Sequence, residues 1–296
     1  MANWIPYADY RKGAQHTVQG TVLALPQVWS PHLQNARDVL VYLPPSYAQA
    51  PERRYPVLYL HDGQNLFDEY TAYAGEWQVD ETLEALSREG LELIAVGVFN
   101  YGDQRRIEYN PFPSRFGAGK GEAYLHFLVE TLKPLIDADF RTLPDRAHTG
   151  LMGSSMGGLI SLYGFFSFAE TFGIAGVMSP AFIISYREVL NYVAAQPFVG
   201  GRLYMDVGAR ELVALSRLDG IVGLGSWRYL RSVRRVLRLL QAKGYRSSDH
   251  LFYVEEKGAP HHEAAWRRRL PAALRWMFGA AAPSPAATRD SAVDSR

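Results

Sequence analysis

Two hydrophobic rhythms alternate along the chain. Short, nearly continuous apolar runs cover 39–43, 57–60, 93–99, 149–152, 174–178, 203–207 and 251–254. A strand with one wet face would alternate polar and apolar residues, so continuous runs read as strands covered on both faces. Between them, apolar residues recur every three or four positions, which predicts helices over 79–88, 121–137, 156–168, 186–195, 227–243 and 263–278. Strand–helix alternation implies right-handed crossovers between parallel strands. The expected fold class is therefore α/β, a doubly wound, mostly parallel sheet with helices on both faces. The run 16–25 is expected to add an antiparallel strand at one edge. In such sheets a site forms at the carboxyl ends of the strands.

No linker or repeat divides the 296 residues, so a single domain over 1–278 is expected. Residues 279–296 are rich in Ala, Pro and Ser, with too little apolar surface to order themselves, and read as a disordered tail. The longest apolar stretch, 159–184, contains Glu170, Pro180 and several glycines, so it reads as a core helix plus a strand and not as a membrane span. The first ten residues lack the apolar core of an export signal, and a cytoplasmic location is expected. A net charge of +1 argues against bulk binding to nucleic acid or an anionic membrane. Arg228, Arg231, Arg234, Arg235 and Arg238 crowd one predicted helix, but Leu230, Val233, Leu237 and Leu240 fall opposite, as on a solvated amphipathic helix. The absence of cysteine rules out disulfides, thiolate metal sites and a Cys nucleophile.

The chemistry centres on Gly153-Ser154-Ser155-Met156-Gly157-Gly158, where the run 149–152 meets a predicted helix. Gly-x-Ser-x-Gly between strand and helix is the pattern of a nucleophile elbow, in which a strained turn lifts a serine hydroxyl above the sheet. The flanking glycines are expected to leave room where side chains would collide. Only one frame fits, and it makes Ser155 the nucleophile. A serine needs a base, and the base an acid that fixes its tautomer; in this fold they follow in the order Ser, Asp/Glu, His. Of the later histidines, His250 precedes the last strand. His261 and His262 follow it, on the correct side, and His261 is the expected base. The acid should follow the strand at 203–207; Glu211 is favoured, with Asp206 and Asp219 as alternatives. Two backbone N–H groups should bind the oxyanion. They are expected from Met156 and from Gln64 in the loop His61-Asp62-Gly63-Gln64-Asn65, where Gly63 would permit a tight turn. His61, Asp62, His261, His262 and Glu263 have no recognisable ligand spacing, so no metal is expected.

The stretch from Tyr59 through His61-Asp62-Gly63-Gln64-Asn65-Leu66-Phe67 to Asp68 resembles the first signature of the putative-esterase branch of the α/β-hydrolases, the branch of esterase D and enterochelin esterase. Trp77 to Asp80, Arg106-Ile107-Glu108-Tyr109-Asn110-Pro111, the elbow, Ser179-Pro180 and Gly258-Ala259-Pro260-His261-His262-Glu263 with Trp266 extend the resemblance from about Val18 to Phe278. Feruloyl and siderophore esterases, S-formylglutathione hydrolases and mycolyltransferases share the branch. The resemblance implies Ser155 as nucleophile, His261 as base, Glu211 where the family often has Asp, and Gln64 as the second oxyanion donor. Some siderophore esterases of the branch work with a Ser–His pair. In the mycolyltransferases the Asp of the Asp-Gly pair helps hold a sugar, which makes Asp62 a candidate polar contact. Ala259-Pro260 stands where the family usually has Gly-Gly, and the Cys common in S-formylglutathione hydrolases is missing.

The expectation is thus a serine esterase that needs no cofactor and acts on a small-molecule ester, with Trp77, Tyr101 and Tyr109 as candidate pocket aromatics. An acyltransferase using the same residues and a non-catalytic binding protein on the same fold are the alternatives.

Overall fold

A computed structural model describes residues 2–212, 222–247 and 249–279. Among these, nine strands form one sheet: β1 (Ile5–Pro6), β2 (Thr21–Ser30), β3 (Asn35–Leu43), β4 (Val57–His61), β5 (Ile94–Val98), β6 (Thr149–Ser154), β7 (Ile174–Met178), β8 (Arg202–Gly208) and β9 (Leu251–Glu256). Their order is β1-β2-β3-β5-β4-β6-β7-β8-β9. From β5 to β9 all neighbours are parallel, while β1, β2 and β3 pair antiparallel and β3 meets β5 antiparallel. The helices are α1 (Tyr7–Tyr10), α2 (Val79–Ser87), α3 (Arg105–Glu108), α4 (Gly121–His126), α5 (Lys133–Asp139), α6 (Met156–Ser167), α7 (Tyr186–Ala195), α8 (Val222–Ala242) and α9 (Glu263–Phe278).

The chain is a single-domain α/β protein with a mostly parallel sheet, as its apolar runs predict. β4, β5, β6 and β7 are buried along their whole length. Successive side chains of a strand point to opposite faces. Accordingly Val57 and Tyr59 join the core under α4 to α8, and Leu58 and Leu60 join the core under α2 and α9. Cutting one of these residues back to Ala would cost about 2–5 kcal/mol.

This sorting of helices positions the site. α2, after β4, packs on one face of the sheet, and α6, after the adjacent β6, packs on the other. The two loops therefore part at the carboxyl ends of β4 and β6, the point where a doubly wound sheet reverses direction and where such sheets form their sites.

Two local expectations are refined. The antiparallel strand predicted over 16–25 begins at Thr21 and runs to Ser30, and β1, not this strand, takes the sheet edge. A register shift between Leu25 and Val28 lets β2 continue past Pro26, with Gln27 at φ +56 donating from N and Nε2 to Asp38. The helix predicted over 121–137 contains a π-helical segment, Phe127–Leu132, between α4 and α5. The long apolar stretch is α6, buried on almost every side, followed by β7. No helix among the described residues is long and apolar enough to cross a membrane. The five arginines of α8 are exposed and Tyr229, Val233, Val236 and Leu240 are buried, so the basic face is the solvated one. The predicted tail from 280 onward and Asp219 lie outside the described residues.

Candidate active site

β6 ends in the turn that the glycine-rich motif predicts. Ser155 has φ +59° and ψ −116°, a conformation that L-residues adopt only under constraint, at a cost of order 1–3 kcal/mol. The constraint comes from its own backbone. Ser155 N donates to Met178 O at 3.0 Å, and Ser155 O accepts from Ala181 N at 2.8 Å and Leu159 N at 3.1 Å. A Cβ on Gly153 would lie 2.7 Å from the His61 ring, and one on Gly158 would lie 2.9 Å from Met178 O. At Gly157 a Cβ would come no closer than 3.4 Å, so the elbow has room there and the expected collision arises only at 153 and 158.

His61 lies under the elbow. Its Nδ1 is 2.8 Å from Tyr124 Oη and its Nε2 is 3.1 Å from Ser161 Oγ. Burial lowers its pKa to about 3, so it is a neutral brace at physiological pH.

The loop after β4 turns at Asp62, which has φ +60°, and not at Gly63. Gly63 is needed for close approach, since a Cβ there would lie 2.7 Å from the carbonyl carbon of Gly97 in β5. The 3₁₀ turn Gly63–Asn65 follows, with Asn65 N donating to Asp62 O at 2.8 Å. The first N–H groups of a helical turn have no partner within it. The N–H of Gln64 stands at such a position beside β4, and that of Met156 at another beside β6.

The three candidate substrate contacts, Asp62, Tyr109 and Trp77, each have partners within the protein. Both oxygens of Asp62 are already taken: Oδ1 by Arg105 Nε at 2.6 Å and Asn100 Nδ2 at 2.7 Å, and Oδ2 by Arg105 Nη2 at 2.7 Å. Burial alone would raise the Asp62 pKa, but Arg105 and Asn100 outweigh it and hold the group ionised. Asp62 therefore anchors Arg105. Tyr109 is fully buried, and its hydroxyl accepts from Asp62 N at 3.2 Å, so it supports the loop from below. Trp77 is also buried, its ring centre 5.8 Å from that of Trp266. Tyr101 is exposed.

The predicted base and acid meet. His261 Nδ1 is 2.5 Å from Oε2 of Glu211, whose carboxylate is fully buried while the imidazole keeps partial access to solvent. Three backbone hydrogen bonds join their loops: Ala209 N to Glu256 O (3.0 Å), Arg210 N to Ala259 O (3.1 Å) and His261 N to Glu211 O (3.3 Å). Gly208 permits the approach, because a Cβ there would lie 2.3 Å from Ala259 O. His262 instead caps α9, accepting from Ala264 N at 3.2 Å.

Asp206, the alternative acid in β8, is committed elsewhere. Its Oδ2 receives Arg269 Nε at 2.9 Å and Tyr204 Oη at 2.9 Å, and its Oδ1 receives Ser179 N at 2.9 Å. Burial works against the charge of Arg269, but Asp206, Tyr204 and Glu256 outweigh it and keep the guanidinium protonated.

Three residues that motif reading did not assign complete the site. Ser179 Oγ donates to Glu211 Oε1 at 2.7 Å and receives Arg269 Nη2 at 3.0 Å. Tyr229 donates to Ser179 O at 2.7 Å, lies within hydrogen-bonding reach of the Ser155 side chain and packs edge-on against His261 with ring centres 5.5 Å apart. Arg269 carried the one visible signal, a charge on the apolar stripe Trp266–Leu270–Ala273 of α9. A cavity of about 420 Å³ between Pro56, His148, Arg202 and Phe278 lies at the opposite, amino end of the sheet, away from these groups.

Comparison with known proteins agrees with this architecture. The model of the family described as Putative esterase matches residues 30–277. The chain belongs to the Putative esterase family. A relative from Bacillus subtilis (strain 168), the uncharacterized protein YbbA, is 27% identical over 262 residues, covering 84% of this chain and 96% of the relative. A ferulic acid esterase superposes with a TM-score of 0.64 at 20% identity, covering 87% of this chain and 97% of that one. An IroE-like serine hydrolase from Shewanella oneidensis superposes with a TM-score of 0.65 at 22% identity, covering 86% and 79%. The fold is thus that of the α/β-hydrolases, and membership of this esterase family gives ester hydrolysis as the reaction class.

Proposed function

We propose that this member of the family cleaves a carboxylic ester through an acyl-enzyme formed on Ser155. The observation that carries the reading is the convergence of three groups at one end of the sheet: a strained serine between β6 and α6, a partly accessible His261, and a buried Glu211 bonded to that histidine. With Nδ1 held by Glu211, Nε2 of His261 is the nitrogen left to take the Ser155 proton. Ser155 Oγ then bonds to the ester carbon, and the charge that develops on the carbonyl oxygen is met by the N–H groups of Met156 and Gln64. Collapse breaks the bond to the alcohol, which leaves with the proton from His261. Water, deprotonated by His261, attacks the acyl group and releases the acid, restoring the serine. Glu211 keeps the imidazole in the required tautomer and offsets its transient positive charge. A Glu serves as well as an Asp, since the role is hydrogen bonding and charge.

The test is a fluorophosphonate labelling experiment followed by peptide mass spectrometry, run beside turnover of p-nitrophenyl esters of graded chain length, aryl esters and sugar esters. The adduct is expected on Ser155. Ester products that appear only when an alcohol acceptor is added would instead identify an acyltransferase, and no label at all would identify a non-catalytic member.

A further inference from the structure

Away from these groups, the entry to α2 carries a concentration of acid that the esterase reaction does not use. Glu76 is nearly buried, Asp80 is fully buried and Glu81 is half-buried. One carboxylate oxygen from each lies within 4.8 Å of the others. Among the described residues no Lys, Arg or His pairs with any of the three. Arg11 pairs with Asp68, at 3.8 Å. Asp68 is itself buried beside the cluster, since Thr17 Oγ1 lies 3.4 Å from both Asp68 Oδ1 and the two Glu76 oxygens.

A second observation is independent of this crowding. Asp80 Oδ2 receives Gln19 N at 2.6 Å, but its Oδ1 is buried and meets no N–H or hydroxyl donor; the Asp80 carboxyl faces that of Glu81, whose buried Oε2 likewise has no such donor. A buried anionic oxygen without a donor costs several kcal/mol unless a proton or a cation meets it. The amino end of α2 favours nearby carboxylates by up to about 1 kcal/mol each, too little to offset that cost.

We infer that Glu76, Asp80 and Glu81 form a binding site for a hard divalent cation, Ca²⁺ in preference to Mg²⁺. Carboxylate oxygens that lie within 4.8 Å of one another can surround an ion whose bonds are about 2.4 Å long and whose geometry is flexible. Mg²⁺ gives up its own water reluctantly and demands near-ideal octahedral geometry, so a site of three side-chain carboxylates suits it less. The Thr17 hydroxyl stands close enough to supply a neutral ligand.

The ion would act on structure and not on the ester. Glu76 precedes Trp77, whose N donates to Asn65 O at 2.9 Å, and Val79 N donates to Leu66 O at 3.0 Å. A cation at this point ties the N-terminal segment around Thr17 and Gln19 to the chain that leaves the Gln64 loop.

The experiment uses the full chain, freed of metal by chelator and dialysis, with calcium chloride and magnesium chloride titrated in by calorimetry and thermal unfolding. Saturating calcium should raise the Tm by roughly 5 °C or more, and magnesium by clearly less. Glu81→Gln, which keeps the volume of a half-buried side chain, should bind calcium at least about tenfold more weakly and unfold at a higher temperature than the metal-free parent, because one repulsive charge is gone. Glu69→Gln, at an exposed acid nearby, should leave calcium binding unchanged. A parent protein that shows neither heat nor Tm shift with millimolar calcium overturns the inference, as does a Glu81→Gln variant that binds calcium as tightly as the parent. Fluorophosphonate labelling of Ser155 is read separately, so failure of the cation site and failure of the esterase proposal are distinguishable.

Discussion

The hydroxyl of Ser179 donates to Oε1 of Glu211 at 2.7 Å, on the carboxylate oxygen that does not face His261. Gly208 N occupies the same oxygen at 2.5 Å, so the acid is gripped from behind by a side chain and a backbone donor. Ser179 itself sits at φ +37° and is held by Asp206 and Arg269. Ser179→Ala should leave Glu211 in place through Gly208 but loosen its aim and free Arg269 Nη2. We expect kcat to fall about tenfold with KM little changed, in line with the loss of one positioning hydrogen bond. Steady-state kinetics over a pH series checks this. A purely structural role would lower the Tm and leave kcat of the folded fraction intact.

Ser155→Ala should reduce ester turnover by about 10⁴-fold or more, since the covalent route is lost. Turnover measured on protein with an unchanged circular dichroism spectrum is the check. A fully active variant, or a fluorophosphonate adduct on Ser154, would remove Ser155 from the mechanism.

The two neighbouring histidines should separate cleanly. His261→Ala should approach the loss seen for the serine, because the two act as a unit. His262→Ala removes a helix cap, and its expected effect is about 1 kcal/mol of stability with activity retained. Parallel activity and urea-melt measurements decide between the two registers of this loop.

The acids should separate in the same way. Glu211→Gln keeps the size of the side chain but not its charge, and turnover should drop roughly 10²–10⁴-fold. Asp206→Asn breaks a fully buried pair with Arg269 and should cost about 3–5 kcal/mol of stability. If Glu211→Gln is fully active in folded protein, the enzyme works as a Ser–His pair.

His61 predicts the shape of acid unfolding. Its folded pKa of about 3 lies below the ordinary 6.5, so the unfolded chain takes up a proton that the folded chain refuses. The stability associated with neutral His61 is complete above pH 6.5 and is lost as the pH falls toward 3, by up to about 4–5 kcal/mol. Urea midpoints of the parent and of His61→Gln across that range should converge on acidification. A parallel offset at every pH would count against it.

The sequence made some parts of this molecule legible and hid others for identifiable reasons. Continuous apolar runs located the strands of the parallel part of the sheet, because burial on both faces leaves no polar positions. The turn after β6 and the place of His261 after the last strand were readable because glycine chemistry and chain order confine them. Glu211 was preferred over Asp206 by position alone, and the structure gives the physical difference: one carboxylate faces an imidazole and the other a guanidinium. Tyr109 and Trp77, candidate pocket aromatics by sequence, are buried in the structure, and an aromatic beside a motif looks the same in sequence whether it lines a cleft or supports the loop beneath. Tyr229 and Ser179 act through contacts between elements some 50 residues apart, and no local period encodes such a meeting. Glu76, Asp80 and Glu81 stand at the acidic start of α2, and only the fold brings Thr17 and Gln19 onto them.

The three backbone bonds between the β8 and β9 loops bear on how this protein comes apart. Glu211 and His261 are stitched to each other, whereas β7 stands between them and the strand that leads to Ser155. Local opening at that end of the sheet should therefore carry acid and base away as one body. In a hydrogen-exchange experiment the amides of Ala209, Arg210 and His261 would then exchange together, at a rate distinct from that of the Ser155 amide, and an enzyme silenced by gentle heating would regain activity by redocking an already assembled pair.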